Sequence, residues 1–337
     1  FLFKTTGRGS TNTCLSPFVD NFDGFACLEQ PLPSREDHED QEESKLPEYW
    51  GVTQTPEKFK LADKLYGNLS FSGISAHGAY IPKENNGDPT GYDQFIFNDI
   101  PRGTVIGDML HLLFENIDFT GSEDHHREEL EKLLDRFYPH KKEEYREGLF
   151  IMINHVLKAD IEVKGQKISL KEIANSSMKN EMEFELRTQG VDLVGLNNFE
   201  AGDGIELGCI TQHPAKSGLL TGFIDLLFKH DDKFYILDWK SNYLGDDLNY
   251  YDGEDKMKSA MNEGNYHLQY LIYSVAVKKY LEQRIPDFNY EKHFGGVIYI
   301  FLRGAREEKQ TGIYTNRPTL DQVEKLESLF CKKEPAA

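Results

Sequence analysis

Two apolar segments that also carry charged side chains constrain this chain more than any other feature. They are Gly222-Phe-Ile-Asp-Leu-Leu-Phe228 and Tyr235-Ile-Leu-Asp-Trp-Lys-Ser-Asn242, and the turn-forming His230-Asp-Asp-Lys233 lies between them. Aromatic and aliphatic runs bounded by such a turn predict an antiparallel hairpin with strands at about 219–229 and 233–240. Charged groups in core-like strands are costly unless they are paired or hold a metal ion. The hairpin is therefore the first candidate for a functional site.

Three charged side chains of the hairpin form a recognisable chemical set. Asp238 and Lys240 are two residues apart, so they project from the same face of a strand, with Trp239 on the opposite face. Asp225 lies on the neighbouring strand and within reach. Mg²⁺ prefers oxygen ligands, and one or two carboxylates together with a substrate phosphate suffice to bind it. A nearby lysine can orient or deprotonate the attacking water, or neutralise developing charge. The set predicts metal-dependent phosphodiester cleavage. An ordinary surface Asp–Lys pair is the alternative, and Ile236-Leu237 and Phe223-Ile224, which flank the charged positions as core-type residues, argue against it.

The remaining hydrophobic periodicity predicts an α/β chain with a small mixed β-sheet flanked by helices. Helices are predicted at 104–118, 127–137, 143–157, 266–284 and 322–331. Further strands are predicted at 182–186 and 294–302, and a polar loop at 243–264.

Other segments offer residues that could join the hairpin. His111 lies within the apolar helix predicted at 104–118, where it is either a hydrogen-bonded core residue or a metal ligand. Glu181 and Glu183 share a face of their predicted strand, and either could supply a third carboxylate. Gln269 and Tyr273 are four residues apart on one helix face, where an amide and a phenol suit contacts to phosphate or bases. Taken alone, each of these groups also fits a purely structural role.

The bulk composition restricts the cellular setting. The formal net charge is −19, but residues 220–337 contribute only −3 of it, so the acidity lies mostly upstream of the hairpin. No apolar run approaches the roughly 18 residues of a membrane span. The four cysteines are scattered without a CxxC pair, which is typical of a reducing, cytoplasmic setting.

The ordered set of Glu181, Asp225, Asp238-Trp-Lys240 and Gln269-xxx-Tyr273 resembles the PD-(D/E)xK nuclease superfamily. The likeness is closer to the C-terminal nuclease domains of RecB subunits in RecBCD helicase–nucleases, and it covers about residues 70–330. The segments that carry it are His111-Leu-Leu-Phe-Glu-Asn-Ile-Asp-Phe119, Asn180-Glu-Met-Glu-Phe184, Gly222-Phe-Ile-Asp225, Leu237-Asp-Trp-Lys-Ser-Asn-Tyr-Leu-Gly245, Leu268-Gln-Tyr270, His293-Phe-Gly-Gly-Val-Ile-Tyr299, Phe301-Leu-Arg-Gly304 and Gly312-Ile-Tyr-Thr315.

The resemblance implies a restriction-endonuclease-like core and assigns roles to residues. It implies Mg²⁺ as cofactor, with Mn²⁺ or Ca²⁺ able to occupy the same site. The implied metal ligands are His111, Asp225, Asp238 and the backbone carbonyl of Trp239. The implied catalytic set is Asp225, Asp238, Lys240, Gln269, Tyr273 and an acidic residue, Glu181 or, as the alternative, Glu183. Iron–sulfur branches of the superfamily use three cysteines after the Gln-xxx-Tyr motif. Here only Cys331 follows it, so no iron–sulfur cluster is expected.

The resemblance also implies partners and a domain organisation. Expected partners are DNA and RecC-like and RecD-like subunits, in an exodeoxyribonuclease V-like enzyme of double-strand-break repair and recombination. Residues 1–65 are expected to be an acidic, irregular leader from a missing N-terminal helicase part, and residues 66–337 the nuclease domain. No Gly-x-x-x-x-Gly-Lys-Ser/Thr phosphate loop occurs in the chain. The alternatives are a non-catalytic DNA-binding or scaffold module of the same complex and a free-standing phage-type nuclease.

Overall fold

The computed structural model describes residues 66–70, 91–189, 191–202, 205–207 and 217–330. The leader expected at 1–65 lies outside these ranges, and so do all four cysteines.

Six strands of the described chain form one mixed β-sheet, and two short strands form a separate hairpin. The strands are β1 (Tyr66–Ser70), β2 (Ile161–Val163), β3 (Gln166–Ile168), β4 (Met178–Gln189), β5 (Ser217–His230), β6 (Lys233–Lys240), β7 (Phe294–Phe301) and β8 (Ile313–Asn316). In the sheet, β4, β5 and β6 are successively antiparallel, β7 runs parallel to β6, and β8 closes the edge antiparallel to β7. The separate hairpin consists of β2 and β3.

Helices surround this sheet. They are α1 (Gly91–Gln94), α2 (Thr104–Asn116), α3 (Glu123–Phe137), α4 (Lys142–Leu157), α5 (Leu193–Asn197), α6 (Glu254–Glu263), α7 (Tyr266–Arg284), α8 (Tyr290–His293) and α9 (Leu320–Phe330). A π-helical turn at Phe95–Asp99 continues α1, and short 3₁₀ turns lie at Leu170–Glu172, Asn175–Ser177 and Leu248–Tyr251. None of the helices in the described ranges is long and apolar enough to cross a membrane. The predicted α/β class with a mixed sheet is confirmed.

The central hairpin formed by β5 and β6 is confirmed as antiparallel, with Leu226 opposite Leu237. Its two turn residues, Asp231 and Asp232, have φ of 45° and 59°. Positive φ at both central positions is the requirement of a type I′ turn, whose twist matches that of the flanking strands. The local sequence therefore sets the register that brings the charged positions of the two strands side by side.

Two strands, β1 and β6, pair with separate parts of the same edge of β5. The place where β6 separates from β5 is called the strand fork. Over Ser217–Thr221 the edge pairs with β1, and over Leu226–His230 it pairs with β6, while β4 pairs with the opposite edge between Ser217 and Phe228. Among the described strands, none pairs with this edge between Thr221 and Leu226. Asp225 lies at the point where β6 diverges.

Two helices contact the strands at this fork. α2 packs Phe114 against Trp239 of β6, with ring centroids 4.6 Å apart. α7 is buried around most of its circumference and contacts β4, β6 and β7. A helix that is apolar on nearly all sides belongs in the core, and its few polar side chains are then aimed at interior partners.

Two parts of the predicted fold were wrong in extent. Strand β4 extends over Met178–Gln189 and not only over 182–186. The prediction was too short because one face of β4 carries polar, partly exposed residues, which weaken the sequence pattern of a strand. The predicted loop at 243–264 contains α6, whose buried stripe of Met257, Ala260 and Met261 has helical spacing. That stripe is narrow and surrounded by charged residues, so the hydrophobic pattern of the sequence did not indicate a helix here.

Candidate active site at the strand fork

The Asp225 carboxylate takes the place of a missing backbone partner at the fork. Because β6 has left β5 beyond Leu237, the Trp239 N–H would lack a partner on that side, and it donates to Asp225 Oδ2 at 2.9 Å. A buried N–H that loses its ladder partner costs free energy unless another acceptor replaces it. The hydrogen bond therefore holds the carboxylate in a fixed orientation beside Trp239.

The Lys240 ammonium is surrounded by partners at the end of β6. It contacts the carboxylate of Asp238, which is 2% exposed, and donates to Gln269 Oε1 at 3.1 Å. Its Nζ also lies 4.0 Å from the centroid of the Tyr266 ring, a cation–π contact. Burial is the largest single influence on the pKa of Lys240 and lowers it. The opposing effects of Asp238, Tyr266 and Asp225 prevail and bring the pKa above its usual value.

Gln269 connects the lysine to two tyrosines. Its Oε1 accepts from the Tyr299 hydroxyl at 3.0 Å as well as from Lys240, and its Nε2 donates to the Tyr273 hydroxyl at 3.0 Å. Burial raises the pKa of both tyrosines well above the usual value, so their hydroxyls keep their protons. The Gln269 amide is thus held on both sides and positions the lysine.

His111 approaches the fork from α2. Its Nδ1 lies 3.4 Å from Asp225 Oδ2, and the Trp239 backbone is near enough to the ring to raise its pKa slightly. Burial lowers the pKa of His111, although the negative charge of Asp238 opposes this effect. A neutral imidazole is the form that can coordinate a metal ion.

The carboxylates at the fork repel one another. Burial raises the pKa of Asp225 well above its usual value, and the neighbouring charge of Asp238 raises it further. The pKa of Glu181 is raised by burial, then by the charges of Glu115 and Asp238. A cation bound among these groups would relieve both the desolvation and the repulsion.

Glu181 is nearer to the other carboxylates than Glu183 is. It lies on β4 between Asn180, opposite Leu226, and Met182, opposite Ile224, and therefore beside Asp225. Glu183 lies opposite Phe223, one step further from the fork. The backbone of Glu181 has φ of 47°, a left-handed conformation that is uncommon outside glycine and recurs at functional sites.

The donor chemistry at the fork fits a hard divalent ion. Two aspartate carboxylates, one imidazole and the Trp239 backbone meet there, and oxygen-rich sets with one nitrogen suit Mg²⁺ or Mn²⁺. As the side chains stand, no three His, Cys, Asp or Glu groups of the described chain converge closely enough to enclose an ion. The Lys240 ammonium contacts the Asp238 carboxylate there.

Several residues near the fork were not predicted from the sequence. Glu115 is four positions after His111 on α2, a spacing that could have identified it. Tyr299 and Arg303 lie in segments that carry the family resemblance, but neither was assigned a role from the sequence, because their partners come from distant parts of the chain.

Arg303 ties together two segments that lead into the site. It is 1% exposed, and its guanidinium donates to the backbone carbonyls of Ile96 and Pro101, both at 2.6 Å, and of Ser241 at 3.3 Å. The first two carbonyls precede α2, which carries His111, and Ser241 directly follows Lys240. The buried Arg303 guanidinium thus holds in place both the segment before α2 and the residue that follows Lys240.

Comparison with known proteins agrees with this geometry. The sequence profile of the PD-(D/E)XK nuclease superfamily matches residues 94–335. The chain is 38% identical over 239 residues to the RecBCD enzyme subunit RecB of Escherichia coli (strain K12), an alignment that covers 69% of this chain and 20% of that protein. It is 33% identical over 233 residues to the same subunit of Haemophilus influenzae, covering 69% of this chain and 19% of that protein.

A third RecB subunit, from Buchnera aphidicola of Acyrthosiphon pisum, is 31% identical over 239 residues, covering 69% of this chain and 20% of that protein. The chain spans about a fifth of the length of these curated relatives. The mixed sheet flanked by helices is consistent with the restriction-endonuclease-like fold that the sequence predicted. The profile match covers well over half of the chain, which therefore belongs to the PD-(D/E)XK nuclease superfamily.

Proposed function

We propose that this chain is the Mg²⁺-dependent DNA nuclease domain of a RecB-like helicase–nuclease subunit. It would hydrolyse phosphodiester bonds as an exodeoxyribonuclease V-like enzyme during double-strand-break repair and recombination. The observation that carries the proposal is the meeting of Asp225, Asp238, Lys240 and His111 at the strand fork. The hydrogen bond from the Trp239 N–H accounts for Asp225 alone, whereas a second carboxylate that is buried, an imidazole from α2 and an ammonium beside an apolar hairpin are typical of a functional site.

The residues at the fork would divide the work of hydrolysis. Asp225, Asp238, His111 and the Trp239 carbonyl would hold the metal ion, which polarises a phosphate oxygen and lowers the pKa of a bound water. Lys240 lies beside Asp238, where its ammonium can meet a non-bridging phosphate oxygen and neutralise charge that develops in the transition state.

Gln269 would act as a positioning residue in this scheme. It holds the Lys240 ammonium in place from α7, and Tyr273 and Tyr299 hold the amide in turn. Glu181 would supply a further carboxylate, to orient a metal-bound water or to accept a proton from it. Its raised pKa makes it a better proton acceptor near neutral pH than an ordinary glutamate.

The test is Mg²⁺-dependent degradation of linear DNA by Asp238→Asn and Lys240→Ala variants. We expect both variants to lose at least about 100-fold in rate, as is usual when charge stabilisation at the reacting centre is removed. Asp232→Asn is a matched control, because Asp232 belongs to the same hairpin but its side chain is 91% exposed in the turn. Full activity of both site variants would refute the proposed mechanism.

Metal binding gives a second readout that does not depend on turnover. Calorimetry with Mg²⁺ or Mn²⁺ should detect an ion whose affinity falls in Asp225→Asn and Asp238→Asn and is unchanged in Asp232→Asn. If the metal affinity of both site variants equals that of the parent, the ion binds elsewhere, and a non-catalytic module is favoured.

We also propose that the chain works within an assembly that contains RecC-like and RecD-like subunits in the cytoplasm. The support is that its relatives are named as subunits of the RecBCD enzyme. Co-purification of the native subunit with such partners tests this part. Isolation of the native protein alone, with full activity, would contradict it.

A further inference from the structure

The proposed function leaves one exposed aromatic side chain unexplained. Phe223 lies in β5, two residues before Asp225, and is 47% exposed. The sequence predicted a core-type residue here, and that was wrong for Phe223: it is not part of the hydrophobic core, and no aromatic ring within the described ranges packs against it. A large aromatic group left in water forfeits the burial free energy that such side chains usually contribute, so a ligand that covers the ring gains that free energy on binding.

The position of Phe223 relative to the fork follows from strand alternation. Along this part of β5, Leu220, Ile224 and Leu226 are buried, whereas Phe223 and Asp225 belong to the alternate, more open positions. Residues two apart in a strand project to the same side and lie about 7 Å apart along it. The phenyl ring therefore stands beside the carboxylate, on the open side of the sheet.

The neighbouring strand limits what can cover Phe223. Glu183 of β4 lies directly opposite Phe223, and Glu185 lies opposite Thr221, so two carboxylate positions flank the ring on the open side. Carboxylates repel the phosphates of a nucleic acid, and a backbone laid along this strip would be disfavoured. A nucleobase carries no net charge and has an apolar face, so it is the part of a polynucleotide that suits this place.

We propose that Phe223 is a base-stacking residue that receives the nucleobase next to the scissile phosphate. The inference rests on the proposed function, because it takes the phosphate to lie at Asp225 and Asp238. With the phosphate held there, the adjoining base can reach the phenyl ring on the same side of β5. Aromatic side chains on sheets bind single-stranded nucleic acid in this way, without regard to sequence, since every base has a π face.

The experiment measures binding of single-stranded oligonucleotides to the full chain in a Lys240→Ala background, so that cleavage does not interfere. Phe223→Leu keeps an apolar side chain but removes the ring, whereas Phe223→Tyr and Phe223→Trp keep a ring. Val194→Ala is the control, because Val194 is 72% exposed and lies on α5. Dissociation constants are measured by fluorescence anisotropy.

Phe223→Leu is expected to weaken binding roughly 5- to 150-fold, the range for one base–aromatic stack. The Tyr and Trp variants should bind like the parent, and the fluorescence of the introduced tryptophan should be quenched by DNA. Val194→Ala should leave the dissociation constant unchanged.

A set of oligonucleotides with one abasic site at successive positions locates the base. At one position, removal of the base should weaken binding to the parent but cause no further loss in Phe223→Leu, because the two changes remove the same contact. Elsewhere the two losses should add.

Three results would overturn the inference. Binding by Phe223→Leu that equals the parent would do so, and so would losses that add at every abasic position. The third is reduced assembly with partner subunits while DNA binding stays intact, which would identify Phe223 as a protein contact. The proposed function is judged separately by cleavage in the Asp238→Asn variant, so it can stand if Phe223 contacts no base. Failure of the parent to bind DNA at all would count against both.

Discussion

Replacing the buried Arg303 should destabilise the protein and disturb the candidate site together. The side chain is 1% exposed, and two of its three hydrogen bonds, to the carbonyls of Ile96 and Pro101, are 2.6 Å long. Arg303→Met keeps most of the volume but removes every donor. Three carbonyls, including that of Ser241, would then lose their partner in or near the interior.

The magnitude follows from two opposing effects. Hydrogen bonds from a charged donor contribute about 1.5–3 kcal/mol each, and two short ones are lost. Against this, a neutral side chain avoids the cost of burying a guanidinium, and burial indeed lowers the pKa of Arg303. Because the Ile96 carbonyl remains buried and those of Pro101 and Ser241 remain partly buried, the losses prevail, and we expect the free energy of unfolding to fall by about 3–5 kcal/mol.

The assay is urea unfolding followed by tryptophan fluorescence, since the Trp239 ring packs in the core beside the site. Arg136→Ala is the matched control: Arg136 is exposed at the end of α3, and its removal should cost less than about 1 kcal/mol. Arg303→Lys should fall between the two, because an ammonium cannot reach all three carbonyls.

Activity is measured on the same variants under conditions where each remains folded. Ile96 and Pro101 lie in the segment before α2, and Ser241 follows Lys240, so loss of the guanidinium should let His111 and Lys240 shift relative to each other. A misplacement of about 1 Å can cost about 100-fold in rate. An Arg303→Met chain that unfolds at the same urea concentration as the parent, with the same kcat, would refute the argument.

Further predictions concern α7 and a glycine of β7. Gln269→Met should lower kcat roughly 10- to 100-fold because it releases the Lys240 ammonium, and it should cost about 1–3 kcal/mol of stability because the buried Tyr273 and Tyr299 hydroxyls lose a partner; a kcat equal to that of the parent would exclude a positioning role. Burial lowers the pKa of His267 from 6.5 to about 4, so the unfolded chain takes up the proton first as pH falls. The contribution of His267 to the free energy of unfolding should therefore be fully present above pH 6.5 and fall by about 3 kcal/mol towards pH 4, and the difference between the parent and His267→Gln in urea titrations across this range measures it. Gly296 has φ of 142°, and an added Cβ would lie 2.6 Å from a backbone carbonyl oxygen, whereas at Gly165, with φ of 82°, the space is open. Gly296→Ala should cost about 3 kcal/mol or more and Gly165→Ala about 1–2 kcal/mol in thermal or urea unfolding; equal costs would contradict the steric argument.

The sequence alone was sufficient for the hairpin and for the face that its charges share. Alternation with a period of two and a turn of two aspartates are local properties, so β5 and β6 could be placed within a few residues. The same holds for α7, whose apolar residues at helical spacing predicted its bounds, Tyr266–Arg284, correctly. Where the local signal was diluted by charged residues, as in α6, the prediction was wrong.

The tertiary structure alone decided how the separate segments meet. The fork exists because β1 and β6 pair with different parts of the same edge of β5, and beyond the last pair with β6 the Asp225 carboxylate accepts from the Trp239 N–H. The contacts of Arg303 and of Tyr299 join segments far apart in the chain, and no periodicity encodes them. Local patterns record which way a side chain points, whereas the partner it finds depends on the path of the whole chain. For this protein the sequence therefore identified the chemical groups, and only the fold placed His111, Lys240 and the carboxylates around one point.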